Sequence, residues 1–95
     1  MQIRQIICSD EIETKLIQKH HVTIAEVHQI LFELPRFRFV EKGYIAGEDV
    51  YVALGQTFSG RYLAVFFIYK PKDKTALIIS SRDMTIKERK AYGHK

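Results

Sequence analysis

The chain has 95 residues, 46% of them hydrophobic and 27% charged, with a formal net charge of +4. That length suits one domain, residues 1–95, with a modest core, and the composition excludes a disordered segment. No apolar run approaches the ~18 residues of a membrane span, the start Met1-Gln2-Ile3-Arg4-Gln5-Ile6-Ile7 is too short and polar for a secretory leader, and the lone Cys8 has no internal partner, so a cytoplasmic protein without membrane association is predicted.

Gln2 to Cys8 reads as a short strand, with Ile3, Ile6 and Ile7 as candidates for burial. Ser9 or Asp10 caps a first helix, Asp10 and Glu13 fit a capping box, and Ile12, Leu16 and Ile17 form its apolar stripe. It ends near Lys19-His20-His21. Thr23 and Glu26 form a second capping box, with Val22 and Val27 as a hydrophobic staple, and Ile24, Val27, Leu31 and Leu34 follow at helical spacing until Pro35. The short link between the two predicts an αα-hairpin.

After Pro35 the period switches to two. Phe37 and Phe39 face one way, Arg36 and Arg38 the other. Turn residues around Lys42-Gly43 and Ala46 to Asp49 lead to a strand over Val50 to Leu54. A loop at 58–60, an apolar strand from Arg61 to Tyr69, and a loop at 71–74 then lead to a strand from Ala76 to Arg82. Thr85 and Glu88 form a third capping box, which opens a last helix carrying Lys87, Arg89, Lys90 and Tyr92. The expected fold is α+β in the order β-α-α-β-β-β-β-α: an antiparallel sheet with the helical hairpin on one face and a C-terminal helix.

Loop lengths set an expected register. With loops at 71–74 and 58–60, Lys70 lies opposite Thr75, Leu63 opposite both Arg82 and Gly55, and Arg61 opposite Thr57. Arg61 and Arg82 then share a face as diagonal neighbours, together with Tyr51, Ala53, Gly55, Thr57, Val65, Phe67 and Ser80. The other face, with Val50, Val52, Leu54, Ala64, Phe66, Ile68, Leu77 and Ile79, is the more apolar and is expected to receive the two helices.

Net positive charge favours a polyanionic or acidic partner. No phosphate loop, dinucleotide fingerprint, nucleophile elbow or Cys-x-x-Cys is present. His20, His21 and His28 lack zinc-ligand spacing and a matching acidic or Cys ligand, so neither a metal nor a cofactor is predicted. Metal-free RNA cleavage fits better. It needs a proton carrier, for which Lys19, His20, His21 and Glu88 are candidates, and cations on the phosphate, for which Arg61 and Arg82 are candidates. Tyr51 or Tyr92 would stack on a base, with Arg36, Arg38 and Arg89 as further RNA contacts. The plainer reading is that Arg61 and Arg82 only flank a hairpin and Glu88 only closes its capping box.

Several segments carry a resemblance to a known family. Lys19-His20-His21-Val22-Thr23, Gly60-Arg61-Tyr62-Leu63-Ala64-Val65, and Ile78-Ile79-Ser80-Ser81-Arg82 with Glu88, Arg89 and Tyr92 resemble the motifs of BrnT-type toxins. The resemblance spans about Ile6 to Tyr92. It implies a RelE-like fold and an endoribonuclease toxin of a type II toxin–antitoxin pair that cleaves mRNA. It also implies an antitoxin partner that itself binds DNA. Lys19, His20, Arg61, Arg82, Glu88 and Arg89 are the positions that match the family's functional residues. His21 stands where the family has glycine, Asp83-Met84 where it has x-Ala, and segment 40–50 departs, with no arginine near Tyr51. The alternative is a non-catalytic nucleic-acid or protein binding module of the same fold. The oligomeric state stays open, a homo-oligomer included.

Overall fold

In the computed structural model, which describes residues 1–93, the elements run β1 (Gln5–Ile7), α1 (Asp10–His20), α2 (Ile24–Phe32), β2 (Arg36–Glu41), β3 (Val50–Gln56), β4 (Tyr62–Lys70), β5 (Thr75–Asp83) and α3 (Ile86–Gly93). The order is the predicted one. The five strands form one sheet in the order β1-β5-β4-β3-β2. It is mixed rather than wholly antiparallel, because β1 pairs with β5 in parallel, Gln5 beside Thr75 and Ile7 beside Leu77. β1 is followed by helices and not by a hairpin turn, so no tight connection forces it antiparallel to its neighbour.

The helix caps follow the sequence signals closely. Thr23 and Glu26 form both bonds of a capping box at the start of α2. α1 is capped by Ser9, whose side chain accepts from the Ile12 amide, instead of by an Asp10–Glu13 box. His21 ends α1 in the left-handed region, with φ 53° and ψ 38°. Its amide donates to the Ile17 carbonyl, the bond of an αL cap, and the Val22 amide donates to the Leu16 carbonyl. Val22 and Val27 are both fully buried in the core beneath the helices.

That core lies on the face opposite to the one expected. Leu16, Val22, Val27, Ile30 and Leu31 pack with Ala53, Leu63, Val65, Phe67 and Ile78. The small residues of the face expected to carry both arginines are in fact the seat of α2: a Cβ at Gly55 would come within 3.2 Å of two methyl carbons of Ile30. Bare backbone there lets the helix approach the sheet. The second face holds a smaller cluster of Val52, Leu54, Ala64 and Met84, against which Tyr62, Phe66 and Tyr92 pack.

The register of β4 against β5 explains the change for Arg82. Both loops fall as predicted: Lys70 lies opposite Thr75, Gly55 opposite Leu63, and the Thr57 amide donates to the Arg61 carbonyl. A bulge in β5 then intervenes. Phe66 pairs with Ser80 and Phe67 with Ile78, which leaves Ile79 as the extra residue. Beyond it Leu63 meets Asp83 and Ala64 meets Arg82. Arg82 therefore lies on the Ala64 face, while Arg61 lies on the helix face; they do not share a face as expected.

His21 supplies a direct test of the cap. A non-glycine residue in the left-handed region carries a steric cost that glycine avoids. His21→Gly is expected to stabilise the fold by about 1 kcal/mol, read as a melting temperature higher by about 4 °C or more in thermal circular dichroism. A lower melting temperature would contradict this account of the α1 terminus.

Candidate functional site

Four element ends converge at one end of the sheet: the C-terminus of α1, the start of β4, the end of β5 and the start of α3. Arg61 stands among them as a clamp. Its Nε donates to Asp83 at 2.8 Å, one terminal nitrogen donates to the His21 carbonyl at 2.6 Å and more weakly to Glu26 at 3.4 Å, and the other donates to the His20 carbonyl at 2.7 Å and to Asp83 at 3.4 Å. Arginine has five N–H groups, and each has an acceptor in the protein. The last carbonyls of α1, which lack helical partners, are thus satisfied from β4. The hydrogen bond from Arg61 is also the main reason that the Asp83 carboxyl lies below its ordinary range, with His20 and His21 adding attraction.

Arg82 is held differently. Its two terminal nitrogens form a bidentate pair with Glu88 at 2.6 and 3.0 Å, and one of them also reaches the Asp83 carbonyl at 3.1 Å. Its guanidinium carbon lies 5.1 Å from the centre of the Phe66 ring. These contacts use three of the five N–H groups and leave the Nε–H and one terminal N–H without an acceptor among the described residues. Glu88 also completes the predicted capping box, accepting from the Thr85 amide at 2.8 Å while its own amide donates to the Thr85 hydroxyl at 3.1 Å. The Arg82 bond and then the Thr85 amide hold the Glu88 carboxyl down at about 2. Glu88 is therefore a fixed carboxylate at neutral pH: it closes the cap and orients Arg82 at once. Substituting glutamine at Glu88 would turn an amide toward one Arg82 nitrogen, so it does not separate the two roles.

The other predicted residues divide into near and far. Lys19 and His20 line a cleft of about 150 Å³ together with Ile12, Lys15, Leu16, Ile79 and Ser80. β1 pairs with β5 only as far as Leu77, so this cleft borders the unpaired edge of β5. Ser80 lies on the same face as Arg82, two residues away. Lys19 and His20 thus approach the Arg82 face around that edge. Arg36 donates to the Ala91 carbonyl at 3.4 Å and lies 5.9 Å from the centre of the Tyr92 ring. Arg89 lies 4.2 Å from the centre of the Tyr62 ring, and Tyr62 meets Tyr92 edge-on at 6.1 Å. Arg38 is exposed and pairs with Val52 on the same sheet face.

Tyr51 is not brought to this site. It is half-buried on the helix face, among Phe39, Phe67 and Tyr69, so its ring is an aromatic packing element. His28 stands edge-on against Phe32 on α2. Among the described residues no group of three or more His, Cys, Asp or Glu is placed to hold a metal ion. Sequence reasoning missed Glu26 and Asp83 as partners of Arg61, and Tyr62 as the centre of the aromatic cluster. Glu26 and Asp83 carried a signal as acidic residues near the predicted α1 terminus and strand end, whereas Tyr62 had been read only as part of an apolar strand.

The family model described as "Ribonuclease toxin, BrnT, of type II toxin-antitoxin system" matches residues 10–88. The chain belongs to the BrnT family of ribonuclease toxins. A search of curated proteins gave no match. BrnT membership brings with it an RNA substrate and an antitoxin protein partner. The matched segment includes the Arg61 clamp and the Arg82–Glu88 pair and ends before Arg89 and Tyr92. No helix of the described residues is long and apolar enough to cross a membrane.

Two measurements check this electrostatic picture. Because the folded state lowers the Glu88 carboxyl to about 2, the pair stabilises the fold fully above the ordinary carboxyl value of about 4.3, and that stability is lost as pH falls toward 2. After allowance for solvent screening it amounts to about 1 kcal/mol. Thermal melts from pH 6 to pH 2 are expected to lose this increment in the wild type and to show a smaller loss in Glu88→Ala. Removing Arg61 takes the partner from the His20 and His21 carbonyls and from the Asp83 carboxylate, while Glu26 keeps its capping bond to the Thr23 amide. Arg61→Ala is expected to lower stability by about 2 kcal/mol in urea unfolding.

Proposed function

We propose that this BrnT-family chain is one RelE-like domain acting as a metal-independent endoribonuclease. It cleaves mRNA in the cytoplasm, inhibits translation, and is neutralised by a cognate antitoxin that itself binds DNA. The observation that carries this reading is Arg82: a guanidinium oriented bidentately by Glu88, with two N–H groups left for a phosphate. Holding the cation in place beforehand means that no reorganisation is needed as charge grows on the phosphate. Lys19 and His20, at the open edge of β5, are the groups placed to move protons. Glu88, ionised with its carboxyl at about 2, positions Arg82 and carries no proton at neutral pH. Arg61 maintains the α1 terminus that presents Lys19 and His20, and so acts as a positioning residue.

One observation favours a non-catalytic RNA-binding relative: both strand arginines are already paired with carboxylates. The experiment that separates the two readings is induction in a bacterial host, together with RNA cleavage in vitro in the presence of EDTA. Wild type is expected to slow growth and to cleave RNA unaffected by EDTA. Arg82→Ala is expected to fold and to lose at least about 100-fold in cleavage rate. A folded wild type that binds RNA without cutting it supports the binding module instead, and cleavage abolished by EDTA overturns metal independence.

A further inference from the structure

The α3 face holds a cleft that the cleavage site does not use. It measures about 340 Å³ and is lined by Tyr62, Ile86, Arg89, Lys90, Tyr92 and Gly93. That is at the small end of the range for ligand pockets and has room for one planar ring system. Its wall is built from π surfaces. Arg89 lies 4.2 Å from the centre of the Tyr62 ring, Tyr92 meets Tyr62 edge-on, and Arg36 flanks Tyr92. Unlike Arg61 and Arg82, Arg89 makes no ion pair with a carboxylate among the described residues, and neither does Lys90. A carboxylate-free cation beside an aromatic layer is the combination that holds a nucleotide of a single strand, with the base stacked and the phosphate on the cation. The cleft also lies close to Arg82. Tyr62 follows Arg61 at the start of β4, and the Met84 amide donates to the Tyr62 carbonyl, so the ring stands beside the β5 segment that carries Arg82.

We infer that the Tyr62–Arg89 layer is a base-stacking subsite for a nucleotide flanking the scissile phosphate of single-stranded RNA, and that it contributes to which sequences are cut. This rests on the ribonuclease reading for the word "scissile", but the stacking itself is a binding claim. Tyr62 and Arg89 touch the neighbouring nucleotide; Arg82 holds the phosphate that reacts. Lys90, on the rim, adds attraction to the strand.

The test measures binding and cleavage in parallel, so that the two claims fail separately. A fluorescein-labelled single-stranded RNA is titrated by anisotropy into wild type, Tyr62→Phe, Tyr62→Leu and Arg89→Gln, each checked for folding by thermal melting. Cleavage is followed on oligonucleotides that differ only in the nucleotide next to the cut. Tyr62→Phe keeps the ring and is expected to bind within about twofold of wild type. Tyr62→Leu is expected to bind roughly tenfold more weakly, to raise KM more than it lowers kcat, and to flatten the preference among neighbouring bases. Arg89→Gln is expected to weaken binding and to reduce its salt dependence. The inference is overturned if Tyr62→Leu binds RNA like the wild type, or loses only kcat with its base preference intact. A wild type that binds with this Tyr62 dependence yet cleaves nothing overturns the ribonuclease reading alone. One that binds no RNA overturns both.

Discussion

A single inserted residue in β5 decides which chemistry each face of this sheet can carry. Ile79 has no partner in β4, and beyond it every side chain of β5 has changed sides. Without the bulge Arg82 would point into the helix-covered core beside Leu63, where a guanidinium would be desolvated at high cost. With it, buried Ser81 takes the inward position and bonds the Ala64 carbonyl, Asp83 turns toward Arg61, and Arg82 emerges on the open face over Phe66. The same shift turns Met84 into the second cluster and aims the chain for α3 to cover that face.

The two arginines therefore perform different work, although the sequence presents them as a pair. Arg61 satisfies the end of α1 and the carboxylates of Asp83 and Glu26, which ties the helical hairpin to the ends of two strands. Arg82 is fixed by a carboxylate that also caps α3, and it keeps donors to spare. Asp83 joins the two systems, its side chain on Arg61 and its carbonyl on Arg82. Displacing α1 would thus disturb the strand end that carries Arg82.

Local signals in the sequence were dependable. The capping boxes at Thr23 and Thr85 and both hairpin loops lie where the residue pattern placed them, because each depends on contacts within a few positions; α2, by contrast, stops at Phe32 and leaves Leu34, expected on its apolar stripe, exposed in the left-handed region before Pro35. The faces of the sheet were less legible. Both are apolar at the centre, so hydrophobicity alone did not show which one receives α1 and α2; the decisive feature was small size, at Gly55, where Ile30 needs room. The bulge was not legible at all. Ile78-Ile79-Ser80-Ser81 contains no glycine or proline to mark it, and strict alternation through those residues gives the opposite placement of Arg82. The parallel pairing of β1 escaped for a similar reason, since no turn joins β1 to β5. At the site, residue types were readable and their partners were not: Glu26 and Asp83 reach Arg61 only once helix and strand ends are brought together.

The central claim is that Arg82, and not Arg61, meets the RNA backbone, on the face that also carries Arg89 and Tyr62. Side-chain Nε–Hε signals report on each arginine separately in a nitrogen–proton correlation spectrum. Titration with a short RNA made uncleavable by 2′-deoxy substitution is predicted to shift the Arg82 Nε–Hε signal and the backbone amides of β5 and α3 around it. The Arg61 Nε–Hε signal should stay in place, since Asp83 already occupies it. Movement of the Arg61 signal with Arg82 unchanged would contradict the account.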